Sequence, residues 1–207
     1  MTWTAEDVDG LVPRALDVVA RSDVASQRVS CLLGVAWATR RTEPKYAAAL
    51  TRRALEEMPD LPAYMRRTLP GNASRLLTGL DAGLAARYVL EQLDGMEGTF
   101  TFVDLIPTFY GALILHRVDD PAAGPALAAL ATSPVAPWLS HLGYADVAAQ
   151  ALREHDPMPL DEVVEALRRG LEALVATADR LEEPVPLDEL GDLVKGRPPE
   201  AAGAAVS

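Results

Sequence analysis

The stretch FVDLIPTFYGALIL, residues 102–115, decides the fold predicted for this chain of 207 residues. Ten of its fourteen residues are apolar or aromatic, and Asp104 is its one charged residue. A segment that is apolar on every side forms a helix covered on every side, or it crosses a membrane. Fourteen residues are too few to cross a bilayer, which needs about twenty. The stretch therefore predicts a buried central helix at about residues 102–117.

The composition of the whole chain favours helices over strands. The sequence contains 35 alanines, while aromatic residues make up 5% of it. Alanine is the best helix former and a poor strand former. We therefore predict an all-α fold in which antiparallel helical hairpins, as repeats or as an orthogonal bundle, surround the central helix. One helical domain is expected over residues 1–195, followed by a disordered tail at 196–207 that is small, polar and rich in proline.

Apolar residues recur at helical spacing along most of the chain. The first helices are predicted over residues 5–21, over 23–40 with Ser22 as N-cap, and up to residue 58 after a cap at Thr42. Trp37 is counted among the apolar positions of the second of these. The most regular stripe runs over residues 160–181, where Glu165 and Arg169 are predicted to form an ion pair one turn apart.

Residues 30–60 carry a pattern of small and apolar residues across two predicted helices. The pattern is Leu33-Gly34-x-x-Trp37, then Ala47, Ala54 and Pro59. It resembles the tetratricopeptide repeat, and residues 143–157 resemble the second half of such a repeat. The resemblance implies a helical-hairpin scaffold of the kind that binds peptides or proteins. An ordinary helical bundle gives the same spacing, and that alternative stays open.

The net charge of −11 is spread unevenly over the sequence. Residues 1–80 hold 11 basic and 9 acidic side chains, and residues 81–207 hold 8 and 21. The acidic balance argues against a nucleic-acid partner, because phosphates would be repelled. Residues 26–80 nevertheless hold 9 basic against 4 acidic groups. The sequence therefore predicts solvated helix faces there, or a face that meets an acidic partner.

The cysteine content and the start of the chain bear on location. The single Cys31 excludes an internal disulfide, which suits a reducing compartment. The chain opens without a charged segment followed by an apolar run, so no signal peptide is expected. No apolar segment reaches spanning length. We expect a cytoplasmic protein that does not enter a membrane.

Recognised catalytic and metal-binding signatures are absent from the sequence. The three histidines are not spaced to share a metal ion on one helix, so no metal and no cofactor is expected. Four residues are candidates for an apolar pocket beside the central helix: Tyr110, His116, Trp138 and His141. Asp119 and Asp120 precede Pro121, which is typical of a turn and an N-cap.

The segment RRTLPGNASR, residues 66–75, is the most specific candidate for an anion site. Asn72 is expected to open a helix whose free N–H groups attract anions. Arg66, Arg67 and Arg75 lie close to it in sequence and would add positive charge.

These patterns favour a non-catalytic protein-binding or adaptor protein, of the regulator or immunity type, whose partner is another protein. The alternative is an enzyme or small-molecule binder with the pocket beside the central helix. The sequence leaves the partner and the oligomeric state open.

Overall fold

A computed structural model describes residues 5–61, 73, 77, 79–94, 96, 105–181 and 185–195, without the side chains of residues 5–11, 188 and 192. The described chain is helical and contains no strand, which confirms the all-α prediction. The chain divides into two compact units, Met1–Leu80 and Asp81–Ser207. The expectation of one domain over residues 1–195 stays a prediction, and the predicted tail lies outside the described residues.

The first unit contains three described α-helices and a short 3₁₀ helix, Met58–Asp60. The α-helices are α1 (Ala5–Arg21), α2 (Ala25–Thr39) and α3 (Pro44–Glu57). Helix α2 packs on α3 through Ala47 and Ala54, which are fully buried because small side chains let two helices approach closely. The hairpin is thus observed, whereas its repeat-like detail is not confirmed.

The helix starts of the first unit differ from the predicted caps. Val24, and not Ser22, is the N-cap of α2, and Glu43, and not Thr42, is that of α3; neither makes a side-chain cap hydrogen bond. The hydroxyl of Ser22 instead accepts a hydrogen bond from the Val24 N–H at 3.1 Å, before the helix begins. The hydroxyl of Thr42 donates back to the Thr39 carbonyl at 3.3 Å. Both hydroxyls therefore stabilise the turns between helices, which compete with capping for the same side chains.

The described part of the second unit contains seven α-helices, which we number α4 to α10. They are α4 (Ala82–Asp94), α5 (Leu105–Arg117), α6 (Ala123–Ala131), α7 (Ala136–His141), α8 (Ala145–Glu154), α9 (Leu160–Ala178) and α10 (Leu187–Val194). Helix α5 packs against four others, α4, α6, α9 and α10. It is buried at Leu105 and at every residue from Thr108 to Leu115. This confirms the buried central helix; its start before Leu105 lies outside the described residues.

Helix α9 presents its predicted stripe to the core. Val163, Val164, Leu167, Leu171 and Leu174 are buried. The predicted pair of Glu165 with Arg169 is wrong. The Glu165 carboxylate instead accepts a hydrogen bond from Arg168 at 3.1 Å, while Arg168 also reaches Asp94 on α4 at 3.0 Å. Arg168 faces α4, so its guanidinium can contact both Asp94 and Glu165. The contact between α4 and α9 therefore explains why Glu165 pairs with Arg168 and not with Arg169.

Gly83 allows α4 and α9 to approach each other closely. A Cβ atom added there would lie 2.6 Å from the Cβ of Ala178. Asp81 begins α4 by accepting a hydrogen bond from the Leu84 N–H at 3.0 Å. The cap and the glycine together place the first turn of α4 directly against the last turn of α9.

Candidate functional site

The turn between α2 and α3 brings residues from both helices to one end of the hairpin. It comprises residues 40–43, and the N–H groups of Thr42 and Glu43 both donate to the Thr39 carbonyl, at 3.1 and 2.8 Å. These bonds close the turn tightly. The last residues of α2 and the first residues of α3 therefore lie side by side, and we call residues 37–46 the hairpin tip.

Two large aromatic side chains lie exposed at the hairpin tip. Trp37 is 42% exposed and Tyr46 is 36% exposed. The guanidinium of Arg40 lies over the Trp37 ring, 3.8 Å from its centroid, and also donates to the Trp37 carbonyl. Such a cation–π contact contributes about 0.5–1 kcal/mol at an exposed site. Trp37, which is counted above among the apolar positions of α2, therefore does not lie on the buried face of that helix.

The hairpin tip is basic in a protein that is acidic overall. It contains Arg40, Arg41 and Lys45 against the single acid Glu43, a local charge of +2 within a chain of −11. Arg41, Glu43 and Lys45 are exposed. Tryptophan, tyrosine and arginine are the residue types that are enriched among binding hot spots.

The residues predicted to form a pocket beside the central helix separate into a buried and a surface group. Tyr110 is buried in α5, where its ring lies 5.4 Å from that of Phe109, which in turn meets Tyr144 edge-on at 5.7 Å. His116 lies exposed in the last turn of the same helix. Tyr110 therefore belongs to an aromatic core cluster, and His116 faces solvent.

Trp138 and His141 are brought together, but on the surface. Their rings lie one helical turn apart on α7, 6.1 Å between centroids and at 76°. Trp138 is 46% exposed, and His141 is exposed too. The two rings cover each other on the outside of the helix, so they do not form a wall of an enclosed pocket.

The predicted anion site lies outside the described residues, since Arg66, Arg67, Asn72 and Arg75 all do. Among the residues that the structure describes, no three histidine, cysteine, aspartate or glutamate side chains are grouped closely enough to hold a metal ion. Likewise, no described helix combines the length and the apolarity needed to span a bilayer.

A cavity of about 300 Å³ opens at the C-terminal end of the central helix. Residues 118–121, which follow α5, form one wall; residues of α9 from Gly170 to Thr177 form another, and Val194 with Lys195 closes the third side. The floor is apolar, whereas the rim carries two carboxylates and one ammonium group. A pocket of this size lies at the small end of the range for ligand sites.

The rim of the cavity is organised by the cap of α5. The Asp119 N–H donates to the His116 carbonyl at 3.1 Å and the Asp120 N–H to the Leu115 carbonyl at 2.9 Å, the two bonds of a Schellman motif. Asp119 holds the left-handed position with φ of 56°, where glycine is usual. Its carboxylate lies 2.6 Å from the Lys195 ammonium. Asp120 accepts a hydrogen bond from the Ala122 N–H at 2.9 Å, which forms an Asx turn. The turn predicted at Asp119 and Asp120 is thus present, but the N-cap of α6 is Ala122, without a side-chain cap bond.

Asp119 and Asp120 are recognisable as turn residues in the sequence, whereas the cavity and the role of Lys195 are not. Lys195 is one of the two lysines in the chain, and no other feature of the sequence distinguishes it from the remaining basic residues. The exposure of Trp37 has no local signal either, because Trp37 lies one helical turn after Leu33, which is buried.

Comparison of the chain with protein-family models, with curated proteins and with solved structures gives no significant match. Any function therefore has to follow from the geometry of the chain itself.

Proposed function

We propose that this protein is a non-catalytic protein-binding or adaptor protein whose hairpin tip docks onto an acidic surface of a partner protein. The observation that carries the proposal is the exposed Trp37 ring held under the guanidinium of Arg40. Tryptophan, tyrosine and arginine dominate the free energy of binding at protein interfaces. A tryptophan side chain has only two rotatable torsions, so it offers a large contact area at a low cost in conformational entropy.

The charge of the hairpin tip indicates what kind of partner fits. Arg40, Arg41 and Lys45 would attract an acidic segment over a distance of about 10 Å at moderate salt. Their charges would increase the association rate and select against basic partners, more than they would add affinity. The acidic balance of the whole chain disfavours nucleic acid, whose phosphates would be repelled.

A capture experiment with matched variants tests this proposal. The tagged protein is incubated with the lysate of its own host at low and at high salt, and retained proteins are quantified by mass spectrometry. We compare the wild type with Trp37→Ala and Arg41→Glu. The matched controls are Trp138→Ala and Arg153→Glu, which change an exposed tryptophan and an exposed arginine on the second unit.

The proposal predicts one stoichiometric partner that the wild type and both control variants retain at low salt. Trp37→Ala should weaken its binding by about 30-fold, since truncating a hot-spot residue costs about 2 kcal/mol. Arg41→Glu should weaken binding at low salt and have little effect at high salt. If no protein is retained by the wild type, or if the controls lose the same partner, the proposal is wrong.

The cavity beside the end of α5 favours a second candidate function, the binding of a small molecule. This is the alternative anticipated from the sequence, at a different set of residues from Tyr110, His116, Trp138 and His141.

We also propose that the protein is cytoplasmic, because its single cysteine, Cys31, suits a reducing compartment.

A further inference from the structure

The rim of the cavity at the end of α5 carries more negative than positive charge. Among the described residues that line it, Lys195 is the one with a positive side chain, against Asp119 and Asp120. Helices α5 and α10 both end at the cavity, and a helix C-terminus carries a partial negative charge of about half an electron. The unit that contains the cavity holds 8 basic and 21 acidic side chains. Both the charged groups at the rim and the net negative charge of the second unit therefore attract a cation to the cavity.

The Asp119 carboxylate of the rim remains accessible to a ligand. Its side chain is 75% exposed, although the Lys195 ammonium, on a side chain that is 27% exposed, contacts it. A cation that binds Asp119 therefore has to displace Lys195. Asp120 uses Oδ1 for the Ala122 N–H, while its Oδ2 lies against Gly170, 3.4 Å from where a Cβ would be. The Leu115 methyl groups lie 2.6 and 3.1 Å from the same position, so this oxygen packs against α9.

The interior of the cavity suits an apolar body rather than a second polar group. Val118, Ala173, Leu174 and Val194 supply aliphatic surface. The hydroxyl of Thr177, which also lines the cavity, donates to the Ala173 carbonyl at 2.9 Å within its own helix. The cavity thus combines an apolar floor with a carboxylate rim.

We propose that this cavity binds a small amphipathic organic cation, an amine or guanidine with a short aliphatic body. The cationic head lies between the carboxylates of Asp119 and Asp120 and displaces Lys195, and the aliphatic body covers Leu174 and Val194. The ammonium of Lys195 occupies part of this position in the structure and acts as an internal competitor. The site is independent of the hairpin tip, since all of its residues belong to the second unit.

An NMR titration with three ligands of matched length tests the proposal. The probes are hexylguanidinium, hexanol and hexanoate, which share an aliphatic chain and differ in charge. Amide shifts of the ¹⁵N-labelled protein report binding and its location. We expect hexylguanidinium to bind and to shift the amides of Gly170 and Lys195, with hexanol and hexanoate binding far more weakly. Equal binding of hexanol, tighter binding of hexanoate, or no binding of hexylguanidinium would each overturn the proposal.

Variants give effects of opposite sign that a purely structural role would not produce. Asp119→Asn with Asp120→Asn should weaken binding of hexylguanidinium by about tenfold, because hydrogen bonds to charged groups are lost. Asparagine tolerates the left-handed backbone at residue 119 and keeps the Oδ1 acceptor at residue 120, so the turn between α5 and α6 is preserved.

Lys195→Gln removes the internal competitor and should tighten binding severalfold. Asp146→Asn, which removes one negative charge from the exposed side of α8, should leave binding unchanged. Weaker binding by Lys195→Gln, or an equal loss in Asp146→Asn, would contradict the proposed competition. Helicity by circular dichroism confirms that each variant is folded.

Discussion

The close approach of α4 and α9 makes a sharp prediction about one methyl group. Gly83→Ala adds a Cβ atom 2.6 Å from the Cβ of Ala178, where ordinary contact needs 3.4–4 Å. Both atoms are fixed by the backbone, so no side-chain rotation relieves the overlap. The two helices must separate by roughly 1 Å, and overpacking of this kind costs about 1–3 kcal/mol. The higher helix propensity of alanine offsets about 0.5–1 kcal/mol of this cost. We expect a net loss of about 1–2 kcal/mol.

The chain provides a matched control for this substitution. Gly34 lies in the middle of α2, and a Cβ atom added there meets no heavy atom within 4 Å. Gly34→Ala should therefore raise the free energy of unfolding by about 0.5–1 kcal/mol, through helix propensity alone. The same chemical change is thus predicted to have opposite signs at the two positions, because only one of them faces a neighbouring helix.

Urea unfolding followed by circular dichroism at 222 nm measures both effects. Introducing Ala178→Gly into the Gly83→Ala variant removes the opposing methyl group, so a double-mutant cycle isolates the contact. We expect the second substitution to cost less in that variant than in the wild type. If Gly83→Ala stabilises the protein as Gly34→Ala does, or if the cycle shows no coupling, then α4 and α9 do not meet at these residues.

Two further predictions concern buried polar groups. Arg28→Ala should lower the free energy of unfolding by about 1–3 kcal/mol in the same urea assay. The largely buried guanidinium of Arg28 contacts Glu57 at 2.6 Å and donates to the Ser22 carbonyl at 3.0 Å. As a control, Arg14→Ala at an exposed position should change the free energy of unfolding by less than about 0.5 kcal/mol. Burial, together with the negative charge of Glu91, raises the pKa of Tyr88 well above its usual value of 10.0. Above about pH 10 the folded protein therefore keeps a proton that the unfolded chain loses, and the free energy of unfolding falls as the pH rises. Tyr88→Phe should flatten this alkaline decline by up to about 1.4 kcal/mol per pH unit, measured as urea stability between pH 9 and 11; an unchanged slope would contradict the assignment.

Helices α5 and α9 could be predicted from the sequence because their signals are strong and local. Helix α5 is apolar on every side, and only complete burial accommodates such a helix. Helix α9 repeats its leucines and valines at a period that one packed face requires. In both cases the burial of a residue follows from its position on its own helix, and no knowledge of the neighbouring helices is needed.

The pairings of the site could not be predicted, because they join residues distant in sequence. Lys195 lies 76 positions after Asp119, and no local pattern connects the two. The choice of Arg168 over Arg169 as the partner of Glu165 depends on Asp94 of another helix. Local rules also overestimated capping: the hydroxyl of Ser22 had several backbone partners within reach, and the turn before α2 decided among them.

The division of charge along the chain connects the two proposed sites. The boundary between the two compact units falls after residue 80, and the charge changes at the same point in the sequence, from 11 basic and 9 acidic side chains to 8 and 21. The hairpin tip lies in the first unit and attracts anionic groups, while the cavity lies in the second and attracts cations. A single ligand of either charge can therefore satisfy only one of the sites. Increasing salt should weaken both interactions. Arg41→Glu is expected to weaken binding at the hairpin tip, and Asp119→Asn with Asp120→Asn is expected to weaken binding at the cavity, because each change alters the charge of its own site.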